Sequence, residues 1–175
     1  MSINEFNVKG IKLTIFEKPE HEMIGYKQPA NDDGSVNLFI SKLHESGKIK
    51  KLANTLQQSQ QAWTCLADCL SCGLKCSGFE FCCIICVEKT AEHDFSEFAE
   101  DELFTFRLPA SKWVRYETQD KDIYEYGIYD LVQEVGYTWN TAVGLHFDNQ
   151  YKLLKNKQDD CNYCLLPVVS MRCTK

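Results

Sequence analysis

The chain has 175 residues, of which 44% are apolar and 12% aromatic, enough to build a single compact core and too much for a disordered segment. Its 19 basic residues against 25 acidic ones leave a formal charge of −6, which argues against nucleic-acid binding through clustered Lys and Arg. No stretch approaches the roughly 18 apolar residues of a membrane helix, and residues 1–12 lack the pattern of a secretory signal, so a cytoplasmic protein with no membrane partner is expected.

Residues 11–16 alternate apolar and polar side chains over their first five positions, the pattern of a half-buried strand. About ten residues precede it, so no DNA-binding domain is expected ahead of it. The strand is expected to resume at Met23-Ile24-Gly25-Tyr26 and to break at Pro29 and Asn31-Asp32-Asp33-Gly34. With Ser35 as N-cap, Val36, Phe39, Ile40 and Leu43 follow i, i+3, i+4, i+7 spacing, which predicts a helix stopped by Gly47. Residues 48–61 are polar and Gln-rich and read as an excursion. Two apolar runs, 63–70 and 79–88, flank a turn at 71–78 and predict a hairpin.

Six acidic residues, Glu92, Asp94, Glu97, Glu100, Asp101 and Glu102, then form a run without Lys or Arg, expected as a solvated connector. After it the order of elements recurs. Residues 103–108 and 112–118 are strand-like and broken at Pro109. A helix is predicted over about 120–135, with Tyr124, Ile128, Leu131 and Val135 on one face and Gly136 as its stop. Residues 151–154 and 161–169 give two more strands. Met23-Ile24-Gly25-Tyr26 matches Trp113-Val114-Arg115-Tyr116 at an offset of 90, Gly47 matches Gly136 at 89, and Ile85-Cys86-Val87 matches Leu166-Pro167-Val168 at 81. An internal duplication follows. The expected fold is α+β: duplicated strand-helix-strand-strand modules with a fused antiparallel sheet, two helices and a pocket at the seam. Residues 1–175 form one domain, with 9–90 as first module, 91–102 as acidic connector and 103–170 as second module.

Several motifs in this order resemble a known family. Phe16-Glu17-Lys18-Pro19 before Met23-Ile24-Gly25-Tyr26 looks like its opening strand, and Leu108-Pro109-Ala110-Ser111-Lys112-Trp113-Val114-Arg115-Tyr116-Glu117 like its central strand. Ile128-Tyr129 leading to Val135-Gly136-Tyr137, and Cys161-Asn162-Tyr163-Cys164-Leu165-Leu166-Pro167-Val168, complete the match over about residues 9–170. Together they resemble the GyrI-like small-molecule-binding domain, also the effector-binding domain of AraC-type and MerR-type multidrug-responsive transcription regulators. The resemblance implies an aromatic pocket for lipophilic, often cationic, compounds. It implies a stand-alone sensor or drug-sequestering protein with no direct nucleic-acid contact, working with a partner regulator or as a homodimer. Some stand-alone members are similar to hydrolases of cyclopropane-containing genotoxins, so hydrolysis of a reactive electrophile, cyclopropanoid or ester in type, is the alternative. The family usually has an acidic residue four before the closing-strand proline, where this chain has Tyr163. The matching strand of the first half often has glycine, where this chain has Cys86.

Candidate ligand-binding residues are therefore Tyr26, Trp63, Trp113, Tyr116, Tyr126, Tyr137, Trp139 and Tyr163, whose rings can enclose a flat apolar molecule. Were the chain an enzyme, Glu117 and Tyr163 are the candidate catalytic groups. The ten cysteines, seven of them between Cys65 and Cys86, read mainly as reduced thiols filling strand interiors. No cofactor is expected. The alternative is a zinc site, since Cys72 and Cys76 in the turn and Cys161 and Cys164 in the closing strand have the spacing of ligand pairs.

Overall fold

The computed structural model describes residues 3–55, 63–68, 81–118, 127–140, 145–148 and 162–171. Alternation sets β2 (Ile11–Lys18) in a sheet with Ile11, Leu13 and Ile15 buried. Ahead of it lies β1 (Ile3–Val8), a strand absent from the expected elements. Lys9 and Gly10 take φ of 51° and 84° and close a two-residue hairpin with Val8 opposite Ile11. Lys9 also pairs with Glu134, at the far side of the chain.

β3 (His21–Ala30) runs straight through Pro29, which was expected to end it. The proline is tolerated because β3 is paired on both sides only from Glu22 to Gly25, and Pro29 lies where one neighbour is gone. Asp32, not Ser35, caps α1 (Asp33–Glu45). Ser35 is the third helical residue, and the two exchange bonds in a capping box: Ser35 N donates to Asp32 Oδ1 at 2.7 Å and Asp32 N approaches Ser35 Oγ at 3.2 Å. The predicted apolar face of Val36, Phe39, Ile40 and Leu43 is buried. The segment after Gly47 is not wholly an excursion. It opens with α2 (Lys48–Ala53), six residues that bury Ile49 and Leu52 one helical turn apart. Among the described residues there are thus three helices where two are expected.

β4 (Trp63–Asp68) and β5 (Phe81–Lys89) form the expected hairpin, with Trp63 opposite Cys86 and Asp68 opposite Phe81. The turn at 71–78 lies outside the described residues. β6 (Phe104–Leu108) and β7 (Ser111–Thr118) flank Pro109 as predicted. The second helix is described as α3 (Ile128–Glu134), with Ile128, Leu131 and Val132 buried, whereas 119–126 lie outside the described residues. Gly47 and Gly136 end α1 and α3 with matching φ of 71° and 83°. β8 (Tyr137–Trp139), β9 (Leu145–Asp148) and β10 (Asn162–Ser170) follow. β9 was not anticipated, and the strand expected at 151–154 lies outside the described residues. Among the described residues, no helix is long and apolar enough to cross a membrane.

The strands make one antiparallel sheet in the order β1-β2-β7-β10-β9-β4-β5-β3-β6, with β8 on β10. Its organising feature is a pair of long ribbons. Leu13 pairs with Tyr116, Lys18 with Ser111, His21 with Leu108 and Gly25 with Phe104. The ribbon β2–β3 thus runs past the ribbon β6–β7 in one unbroken register across Pro19 and Pro109. Because β2–β7 and β3–β6 are halves of the same ribbons, the linear strand order returns on itself and the sheet curls. The duplication is visible in the pairing. Met23 faces Glu88 and, 90 residues on, Trp113 faces Pro167, which sets the closing strands 79 residues apart rather than 81. A two-residue shift leaves every side chain on its own face.

Gly25 and His21 are the tight points of this arrangement. A Cβ on Gly25 would stand 1.9 Å from the Ile85 carbonyl oxygen, so only glycine lets β3 approach β5 this closely. The His21 ring is half-buried with Nδ1 2.9 Å from the Pro19 carbonyl oxygen, and burial holds its pKa below the ordinary histidine value. Gly25→Ala should cost about 3 kcal/mol, since backbone must move, and lower Tm by about 10 °C in a thermal melt. A His21 pKa depressed in the folded state means the unfolded chain binds the proton more readily. Stability should therefore fall as pH drops through about 6.5 and be constant above it with respect to this group. Urea titrations at pH 7.5 and 5.5 should show a smaller loss for His21→Gln than for the unmodified chain; an equal loss would exclude His21 as the cause.

Candidate functional site

Side-chain alternation along β5 divides the core. Cys83, Ile85 and Val87 join a cluster with Val36, Phe39, Ile40, Leu43, Ile49 and Leu52 of α1 and α2. Cys82, Ile84 and Cys86 point the other way, into a cluster with Met23, Cys65, Phe106, Leu108 and Trp113, against which Phe16 and Phe104 also pack. A third cluster joins Leu13, Ile15, Val114, Tyr116, Leu166 and Val168 to Ile128, Leu131 and Val132 of α3. Two cores thus lie between sheet and helices. The one containing Trp113 is made of strand residues alone, on the sheet's inner face, and takes members from both ribbons.

The predicted aromatic residues fall on different faces. Trp113 lies on the inner face, 2% exposed, with the His21 ring edge-on at 6.5 Å. Tyr26 lies under α1 and α2, and Tyr116 under α3. Tyr137 and Trp139 are half-buried against the α3 cluster, where Trp139 meets Tyr129 at 5.8 Å. Trp63 and Tyr163 are placed by backbone register alone, opposite Cys86 and Glu117 respectively. Their side chains, that of Glu117 and all of Tyr126 lie outside the described residues. So do Cys72, Cys76 and Cys161; Cys164 faces Tyr116 in the ladder. Among the described residues, no group of three or more His, Cys, Asp or Glu is arranged to hold a metal. Cys65, Cys82, Cys83 and Cys86 are buried, and burial, with Cys83 adding a smaller effect, pushes the Cys86 thiol up, away from the reactive thiolate.

The acidic connector is not wholly solvated. Phe95, Phe98 and Leu103 pack on the α1–α2 cluster, and Glu102 is drawn in with them. The Tyr26 hydroxyl donates to Glu102 Oε1 at 3.3 Å, and Lys51 Nζ lies 3.1 Å from Oε2. Lys48 stands 5.1 Å above the Tyr26 ring. Burial first, and then the Glu102 charge, raise the Tyr26 pKa above its ordinary value, while Lys51 holds Glu102 below the usual carboxylate range. Tyr26 therefore serves the docking of the connector.

Sequence reasoning missed Phe104, Phe106, Phe16, Met23 and Leu108 as neighbours of Trp113. The signal was present in the alternation Phe104-Thr105-Phe106-Arg107-Leu108. Phe104 and Phe106 stack at 5.7 Å with 12° between their planes. Where the ribbons cross, an open depression of about 610 Å³ is lined by Glu17, Lys18, Pro19, Ala110, Ser111 and Lys112. Lys18 bonds Glu88 at 2.6 Å and Lys112 lies 3.7 Å from Glu17, so the rim is charged but paired.

No family model and no curated protein matches the chain. Solved structures do. SAV2435 bound to tetraphenylphosphonium is 14% identical, with 97% of this chain and 94% of that one covered and a TM-score of 0.62. The C-terminal domain of EcmrR is 15% identical, covering 92% and 99%, with a TM-score of 0.57. A hydrolase from Listeria innocua is 9% identical, covering 90% and 91%, with a TM-score of 0.51. One fold thus carries different functions, and at these identities the likeness speaks for fold alone. That fold is the one of GyrI-like small-molecule-binding domains.

Proposed function

We propose that the chain binds lipophilic small molecules on the inner face of its sheet, as a sensor or sequestering protein. The carrying observation is the all-strand cluster. Met23, Leu108, Phe106 and Trp113 form one buried apolar cluster with the stacked Phe104–Phe106 pair at its side, side chains of the kind that pack on flat aromatic molecules. On this reading residues 9–90 and 103–170 are two modules, joined by 91–102, whose seam takes the ligand. The ligand seen with SAV2435, tetraphenylphosphonium, is a suitable first probe.

Lipophilic aromatic compounds, that cation among them, should raise Tm and quench tryptophan fluorescence. Replacing Trp113 removes a stacking partner and should weaken binding about tenfold. Because Trp113→Ala also empties core volume, Trp113→Phe serves as the variant that keeps the fold. Silence across a broad panel, or unchanged binding in both variants, would overturn the proposal.

One observation favours hydrolysis as a second reading. The ladder sets Glu117 directly opposite Tyr163 in the backbone register. On this reading Glu117 activates water and Tyr163 orients an electrophile. Turnover of an activated ester should then fall about a hundredfold in Glu117→Gln and also drop in Tyr163→Phe. Equal rates in both variants would remove this reading.

A further inference from the structure

The inner face carries its own cation. Lys27 Nζ stands 3.8 Å from the centroid of the Phe104 ring. The register explains the contact: Gly25 faces Phe104 across the ladder, and Lys27 lies two residues further along the same face of β3. Gly25 has no side chain to separate them. Phe104 in turn stacks on Phe106, a member of the cluster that contains Trp113. Lys18, on the same face of β2 as Phe16, is held by Glu88. No carboxylate among the described residues pairs with Lys27.

We propose that Lys27 is the protein's own cation, seated on the Phe104 ring at the exposed edge of this aromatic wall, and that it directs the inner face toward neutral and anionic lipophilic ligands. The proposal rests on the reading that the inner face binds such molecules. A ring face attracts a cation through its quadrupole, and here that attraction is already used by the protein's own ammonium. An incoming cation must displace Lys27 or lie beside it against repulsion. A neutral aromatic molecule meets neither cost, and an anion gains an ammonium at the edge of an apolar surface.

Tetraphenylphosphonium and tetraphenylborate, alike in shape and opposite in charge, separate these effects. Isothermal titration of each should be made with the unmodified chain, with Lys27→Met, which keeps the length of the side chain, and with Lys27→Arg, which keeps the charge. Exposed cation–π contacts are worth about 0.5–1 kcal/mol, so Lys27→Met should raise phosphonium affinity about two- to fivefold and lower borate affinity by at least as much. Lys27→Arg should keep the original order. Affinities unchanged in Lys27→Met would overturn the role of Lys27 while leaving inner-face binding intact. Failure of the unmodified chain to bind either ion would overturn both.

Discussion

Everything in this molecule hangs on the antiparallel register between the ribbons 11–30 and 104–118. One set of pairings runs unbroken from Leu13–Tyr116 to Gly25–Phe104, although each ribbon changes strand at a proline on the way. Within each strand period-two alternation then decides which side chains meet, and its phase changes at the step across Pro19 and Pro109. Phe16, Met23, Phe106, Leu108 and Trp113 are gathered on one face, and Leu13, Ile15, Val114 and Tyr116 on the other. A slip of one residue would exchange the two sets and place His21 and Trp113 beneath helices. Gly25 fixes the neighbouring contact of β3 with β5, which approaches its α-carbon too closely for any side chain.

The two faces differ in chemistry. Helix-side cores are sealed by α1, α2 and α3, and one of them also by the connector, whose Glu102 is shared by Tyr26, Lys51 and Lys48. Exposed ion pairs elsewhere, such as Lys12–Glu5 and Arg107–Glu20, contribute little individually. Among the described residues the inner face has no helix residue. It is built from rings and sulfur: Met23, Cys65, Cys82 and Cys86 beside Phe106 and Trp113. Its thiols are buried, and burial pushes that of Cys86 up, so they act as small apolar groups between the rings.

This division separates the fold from the function. A GyrI-like fold is shared by a protein solved with an organic cation and by a hydrolase, so the strands alone do not select a ligand. On the proposed reading, selection rests with the groups that line the inner face. Here those groups include an ammonium on a phenylalanine ring, a contact set by the ladder, and a tryptophan beside a histidine whose pKa burial lowers.

The sequence by itself determined the α+β class, the duplication, the apolar face of α1, the burial of Ile128 and Leu131 in α3 and the β4–β5 hairpin, because each is written in short-range periodicity or in a glycine stop. It could not show β1, whose Lys-Gly turn lacks the usual Asn-Gly or Asp-Gly signal, nor α2, whose two buried residues span a single turn. Nor could it sort the aromatics. Tyr26, Trp113 and Tyr116 look alike along the chain, yet Trp113 differs by one residue in phase from Tyr116 and so faces the opposite side of the sheet. Phase relative to the core, the pairing of Gly25 with Phe104 and the folding-in of Glu102 are long-range facts. They exist only once the ribbons have paired, which is why tertiary structure alone decided them.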